Sequence, residues 1–205
     1  FLGGSSEDFI ESFAEIRIPA VLVTNSAAEF QFKNLSSVTT DDTAAAAAAV
    51  GYLADMGHKK IAVIGGEREY SDTGRLRYAG VLRALTERGM TFDADRYYKT
   101  AHYSFEEGYT AMAELLRETS EITAVFAMAD VMAIGAARAV RDAGKRIPED
   151  ISLIGFDGLP ICRYYEPRLS TVTQQIAFMA EKSYAVLLDM IENGSGAQHV
   201  LAPYT

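Results

Sequence analysis

Short β-branched runs alternate along this chain with Gly-bounded helical stretches, and no other feature constrains its fold more. Parallel neighbours in a sheet need a long crossover, usually a helix, so this alternation predicts parallel α/β layers. A buried strand is expected over 18–23, after an amphipathic helix over about 7–16. A further short strand is expected over 36–39. Thr40-Asp41-Asp42-Thr43 then offers side-chain oxygens to the free N–H groups of the next helix. That helix carries six alanines, 44–49, whose small side chains let a helix lie close on a sheet, and it ends at Met56-Gly57. Lys60-Ile61-Ala62-Val63-Ile64 reads as a central strand closing in Gly65-Gly66. The units then repeat, with helices over 75–87, 105–117 and 131–143 between strands over 97–99, 122–127 and 151–156. The last helix is expected over about 176–191.

Two stretches interrupt the winding. Asp157-Gly158-Leu159-Pro160 is a turn signal where another helix would begin, and 167–173 is an isolated extended segment. In a two-lobed α/β protein such segments cross from one lobe to the other. Hydrophobic residues make up 49% of the 205, enough to bury one large core or two smaller ones. No apolar run reaches membrane-spanning length, so the chain is expected to be soluble. The net charge of -9 and the lack of a dense Lys/Arg run argue against nucleic-acid binding by this stretch itself. The single cysteine, Cys162, has no partner for an intrachain disulfide, which fits a reducing compartment, and reads as a small apolar residue. Phe1-Leu2-Gly3-Gly4 has neither the basic nor the apolar region of a signal peptide and does not start at Met. Sequence upstream is therefore expected.

No catalytic or metal-binding pattern is found. The histidines His58, His102 and His199 are far apart, and neither a nucleophile elbow nor a phosphate loop occurs. His58 follows a helix C-cap and is expected to serve structure. Gly65-Gly66 follows a strand, but the next residues lack the spacing of a dinucleotide fingerprint. The reading assigns no enzyme activity and no cofactor. Ligand binding is better supported, because open α/β sheets bind ligands beyond the carboxyl ends of their strands. Thr73, Arg75, Arg77, Tyr103, Asp130 and Asp157 all fall just past expected strand ends. A guanidinium fork, a carboxylate and an aromatic plate suit a polyhydroxylated ligand or a planar base. Asp130 alone reads as the N-cap of helix 131–143.

Several ordered motifs resemble one family. Val38-Thr39-Thr40-Asp41-Asp42 leads into a helix ending Leu53-x-x-Met56-Gly57-His58-Lys59-Lys60-Ile61-Ala62. Arg75-x-Arg77-x-x-Gly80, Glu107-Gly108-Tyr109 and Asp130-x-Met132-Ala133-x-Gly135 follow. The most specific stretch is Ile147-Pro148-Glu149-Asp150-Ile151-Ser152-Leu153-Ile154-Gly155-Phe156-Asp157, followed by Pro167-x-Leu169-Ser170-Thr171-Val172. Over nearly its whole length the chain resembles the LacI/GalR family of bacterial transcription regulators.

The resemblance implies a periplasmic-binding-protein-like core of type I, two Rossmann-like lobes joined by three crossovers. It puts 1–57 and 173–195 in the first lobe and 58–172 with 196–205 in the second. It also implies that the DNA-binding headpiece and the first part of the first lobe are missing. By resemblance Arg77 would contact effector hydroxyls or carboxylates, Thr73 would add a polar contact, and Tyr103 would stack on the ligand. Asp157 matches an effector-binding carboxylate, Gln174 sits at a crossover, and Asp41 lies near the lobe boundary, where it would tune the switch. The family often has Asn-Asp where this chain has Ala129-Asp130, so a common amide contact to effector is lost. The function implied is a cytoplasmic homodimeric repressor, without membrane contact, that senses a sugar-like or other small polar metabolite and meets operator DNA through the headpiece. Helix 131–143 and the 161–165 region are the dimer face by resemblance. A secreted solute-binding protein of a sugar transporter shares the fold and is the rival reading. Arg77→Ala is expected to abolish the effector response and leave the fold intact.

Overall fold

The computed structural model describes residue 10 and residues 13–69 and 71–205. The expected helix over 7–16 falls largely outside the described residues. The chain divides into two compact units. One takes the described residues up to 41, residues 71–72 and residues 174–205, and the other takes 42–69 and 73–173.

The first unit is built on a three-stranded parallel sheet in the order β1 (Ala20–Val23), β2 (Leu35–Thr40), β8 (His199–Ala202). Every residue of β2 is buried, although four of its six residues carry hydroxyls. A central strand can bury hydroxyls only where each finds a partner. Ser36 Oγ accepts from Gln198 N at 2.9 Å, Ser37 Oγ meets His199 Nδ1 at 2.9 Å, and Thr40 Oγ1 donates to Gln174 Oε1 at 2.9 Å. Phe13, Leu22 and Leu35 form one apolar cluster of this unit, and Val38, Met179 and Ala202 another. Met179 belongs to the helix Ile176–Glu192, which packs on all three strands.

The second unit holds a five-stranded parallel sheet in the order β4-β3-β5-β6-β7. Its strands are β3 (Ile61–Gly65), β4 (Tyr98–Thr100), β5 (Ala124–Ala127), β6 (Ser152–Asp157) and β7 (Ser170–Thr173). The helices, in chain order, are α1 (Asp42–Asp55), α2 (Asp72–Thr86), α3 (Ala94–Tyr97), α4 (Phe105–Glu118) and α5 (Asp130–Asp142), and the helix of the first unit is α6. From β3 the chain first builds outward to β4, then returns to place β5 on the other side of β3. The strand order thus reverses between β3 and β5, and in open α/β sheets ligands bind beyond the carboxyl ends at such a reversal.

The parallel α/β architecture expected from the alternation is the one observed, and two segments lie in different units from those implied by resemblance. Helix α1, expected in the first lobe, packs on β3, β5 and β7 of the second unit. Its alanines let its backbone come close: Thr43 Oγ1 donates to Leu76 O at 3.1 Å, and a Cβ on Gly80 would lie 2.3 Å from Thr43 O. The C-terminal strand, expected in the second lobe, pairs with β2 of the first unit in the register Ser37↔His199 to Thr40↔Ala202.

Candidate functional site

The carboxyl ends of β3, β5 and β6 gather four of the residues singled out from sequence. Arg77 lies on α2 with its side chain only 5% exposed. Its Nε donates to Asp42 Oδ1 at 2.7 Å, and NH1 donates to the carbonyl of Met128, just beyond β5. The guanidinium lies 3.6 Å over the Phe156 ring, and NH2 is 3.9 Å from Asp157 Oδ1. Arg77 is therefore first a buried tie between α1, α2 and the ends of β5 and β6. Only its NH2 edge turns toward the half-buried Asp157. Thr73 stands one turn earlier on α2.

Asp157 ends β6 at φ 122°, and Tyr103 has φ 55°. Only one other non-glycine among the described residues, Thr24, has positive φ. Side chains avoid this region, and where it persists it tends to mark sites whose geometry matters for function. The Tyr103 ring lies against Gly66, where a Cβ would come within 2.6 Å of its hydroxyl. At Gly65 a Cβ would meet Met128 Sδ at 2.3 Å. The glycine pair admits these two side chains to the strand end, which is a packing reason for it. Beside it, Tyr98 donates to the carbonyl of Gly66, and burial raises the Tyr98 pKa.

Gln174 and Asp41 stand apart from these four in the first unit. Gln174 accepts from Thr40 and bridges to Tyr204, and Asp41 is the residue at which the first unit gives way to the second.

Two readings from sequence need correction. The carboxylate on Arg77 belongs to Asp42, which the sequence offered only as a cap; no local pattern links residues 35 positions apart. Asp130 is not the N-cap, a position held by Ala129 with no side-chain bond. Fully buried, Asp130 accepts from Leu159 N at 2.7 Å and Thr171 Oγ1 at 2.6 Å, which fixes the turn after Asp157. Burial and then the hydrogen bond to Asp130 push the Cys162 thiol up to about 12, in keeping with a small buried side chain. His58 serves structure, as expected from its place after a helix C-cap: its ring nitrogens meet Thr123 Oγ1 at 2.9 Å and Ser152 Oγ at 3.0 Å. Sequence reasoning also passed over Thr24 and the buried Asn25 at the carboxyl end of β1, where Asn25 Nδ2 donates to Asp72 Oδ2 at 3.4 Å. Among the described residues no cluster of His, Cys, Asp and Glu is arranged to hold a metal.

This geometry, a buried guanidinium with a carboxylate and an aromatic ring at a strand-order reversal, can orient a polar ligand. Residues 50–205 match the model of the family described as periplasmic binding protein-like domain. The chain belongs to that family. Its relatives are LacI-family regulators, as the motifs implied. It is 35% identical over 204 residues to the HTH-type transcriptional regulator MalR of Clostridium butyricum, covering 98% of this chain and 60% of that protein. Among solved structures, the transcriptional regulator CelR–cellobiose complex superposes with a TM-score of 0.89 at 25% identity, covering 100% of this chain and 63% of that one. A LacI family transcriptional regulator from Enterococcus faecium with bound ribose gives 0.84 at 29% identity, covering 98% and 73%. The chain thus spans about 60% of the length of MalR.

The histidines supply a pH test of the second unit. His102, next to Tyr103, has Nδ1 2.7 Å from Glu107 Oε2 and Nε2 3.4 Å from Glu67 Oε1. The Glu107 hydrogen bond, then its charge and Glu67, hold the His102 pKa above the ordinary 6.5, whereas burial lowers that of His58. In an NMR titration His102 should titrate above 6.5 and His58 below it. Stabilisation from His102 is present below the unfolded value and lost as pH rises through its folded value. His58 acts oppositely: as pH falls below its unfolded value, the unfolded chain takes the proton first and stability drops. Coincident titration of the two rings would refute the assigned contacts.

Proposed function

We propose that this chain is the effector-binding core of a cytoplasmic, homodimeric LacI-type transcription regulator, a repressor that senses a small metabolite, a sugar or related polyol. The observation that carries the reading is the Arg77–Asp157–Tyr103 constellation, in which two of the three positive-φ non-glycines among the described residues stand at the carboxyl ends of one parallel sheet. Relatives named as regulators, and neighbours complexed with cellobiose and ribose, support both the class and the ligand type. They favour it over a solute-binding protein of a transporter. Operator DNA would be met through a headpiece outside this stretch, since the acidic chain has no basic surface run to neutralise phosphates.

Asp157 and the NH2 edge of Arg77 would take ligand hydroxyls, with Thr73 adding a polar contact and Tyr103 a ring face. Gln174 and Asp41 would act at the boundary of the first unit, tuning the switch. Ligand shifts the population toward the conformer that it contacts more tightly, and affinity for DNA follows. For the dimer face, the 161–165 segment is supported by exposed apolar side chains, with Ile161 47% and Tyr164 86% accessible, and α5 is carried over from the family resemblance.

Thermal unfolding against a panel of sugars and polyols tests the reading. A ligand at a hundred times its dissociation constant should stabilise by about 2.7 kcal/mol, and Asp157→Asn should remove the effect without lowering the unliganded midpoint. The same protein should run as a dimer in light scattering. If no member of the panel raises the midpoint, or if Asp157→Asn responds fully, the proposed ligand site is wrong.

A further inference from the structure

The second unit carries a groove of about 290 Å³ at the amino ends of β6 and β7, the opposite end of the sheet from the Arg77–Asp157 constellation. Its floor is apolar: Leu53, Ala137, Leu153 and Leu169 are all buried. The rim is aromatic and soft, with Tyr52 58% and Met56 65% exposed and Tyr165 half-buried. Tyr165 is the one rim residue shared with the segment proposed for the dimer face.

Charge sets this groove apart. The chain carries 28 acidic residues, yet among the described residues none lines the groove. Among the described residues, the only ionisable side chains there besides tyrosine are Arg168 and His58. His58 is occupied by the hydroxyls of Thr123 and Ser152. Arg168 is exposed and, among the described residues, has no carboxylate within ion-pair distance. Most other guanidinium groups of this unit are paired: Arg83 with Glu87, Arg88 with Asp55, Arg138 with Asp142 and Arg146 with Asp150. A small pocket with an apolar floor, aromatic edges and one convergent cation is the composition expected of a ligand site. A guanidinium prefers a carboxylate, which it can grip with two parallel hydrogen bonds.

We propose that this groove is a second ligand site, for a small aryl carboxylate, distinct from the site at the carboxyl ends of the strands. The ring lies on the leucine floor between Tyr52 and Tyr165, and the carboxylate pairs with Arg168. The groove volume falls just below the roughly 300–1,000 Å³ usual for ligand pockets, which suits a single ring better than a disaccharide.

The experiment is an NMR titration of the full chain with phenylacetate, and with 2-phenylethanol as the neutral compound carrying the same ring. Phenylacetate should shift the His58 ring and the Met56 methyl saturably, while Tyr103 stays unmoved. It should bind about tenfold more tightly than 2-phenylethanol, the factor expected of about 1.4 kcal/mol from one charge-assisted pair. Arg168→Gln, which breaks no contact within the protein, should bring the two compounds to equal affinity. Equal affinities in the unmodified chain, shifts at Tyr103 instead of His58, no saturable shift, or an Arg168→Gln protein that still prefers phenylacetate would each overturn the proposal.

Discussion

Replacing Arg77 by Met should cost the second unit about 3–5 kcal/mol, because it strands a buried carboxylate. Nε of Arg77 is bonded to Asp42 at 2.7 Å, and both side chains are only 5% exposed. The same substitution leaves the Met128 carbonyl without its donor and removes the cation from the Phe156 ring. Against a typical total of about 5–15 kcal/mol, this is a large share of the stability. Asp42→Asn combined with Arg77→Met should recover part of the loss, since the orphaned charge is then gone. Denaturant unfolding of the four proteins completes a double-mutant cycle, and a coupling of about 1–3 kcal/mol is expected. A loss below about 1 kcal/mol in Arg77→Met would show that the buried pair contributes no more than a surface one. The sequence-based expectation that Arg77→Ala leaves the fold intact does not survive this geometry. Lost ligand response in that variant would not separate a contact from a collapse. Asp157, whose side chain is 29% exposed, is the cleaner probe.

What was legible in the sequence follows from the range over which each signal acts. Periodicity and glycine boundaries operate within a dozen residues, and they located β3, α4, β5, α5, β6 and α6 to within a few positions. Proximity to strand ends, a consequence of parallel winding, singled out Arg77, Tyr103 and Asp157 together. Partnerships spanning tens of residues were not legible. Nothing near Asp42 signals a bond to Arg77, and Asp130 next to a helix start looks like a cap whichever way its carboxylate points. Membership of a unit failed for the same reason. The sequence 42–55 says helix, and only its packing on β3, β5 and β7 decides which sheet it covers. Likewise a terminal strand has two possible sheets until its register with β2 is known. The candidate constellation and the proposed groove, at opposite ends of one sheet, also read differently. Arg77 and Asp157 of the carboxyl-end constellation are motif residues, whereas the amino-end groove depends on an absence of acid that only assembly of distant segments reveals.

The motif glycines give the second large effect. Gly108 and Gly135 face each other across α4 and α5, the most closely packed helices of this unit. A Cβ on Gly135 would sit 2.0 Å from the carbonyl oxygen of Phe105, and one on Gly108 would sit 2.4 Å from that of Met132. Both obstacles are backbone, so no rotamer change can relieve them, and the helices would have to part. Alanine in place of glycine improves helix propensity by about 1 kcal/mol. Overpacking typically costs about 1–3 kcal/mol, and a backbone clash belongs at the upper end. The sterics should win, leaving Gly135→Ala about 2 kcal/mol less stable by denaturant unfolding. Gly196→Ala, where a Cβ has open space, should stay within about 0.5 kcal/mol of the parent. The damage should also reach assembly. Phe105, Tyr109, Ile134 and Arg138 line a shared groove on α4 and α5, next to the surface proposed for the dimer. Forcing the helices apart displaces these side chains relative to one another, so Gly135→Ala should shift the monomer–dimer equilibrium toward monomer in sedimentation. A Gly135→Ala protein of unchanged stability would mean that α4 and α5 do not touch backbone to backbone. One that is destabilised but still fully dimeric would take α5 out of the dimer face.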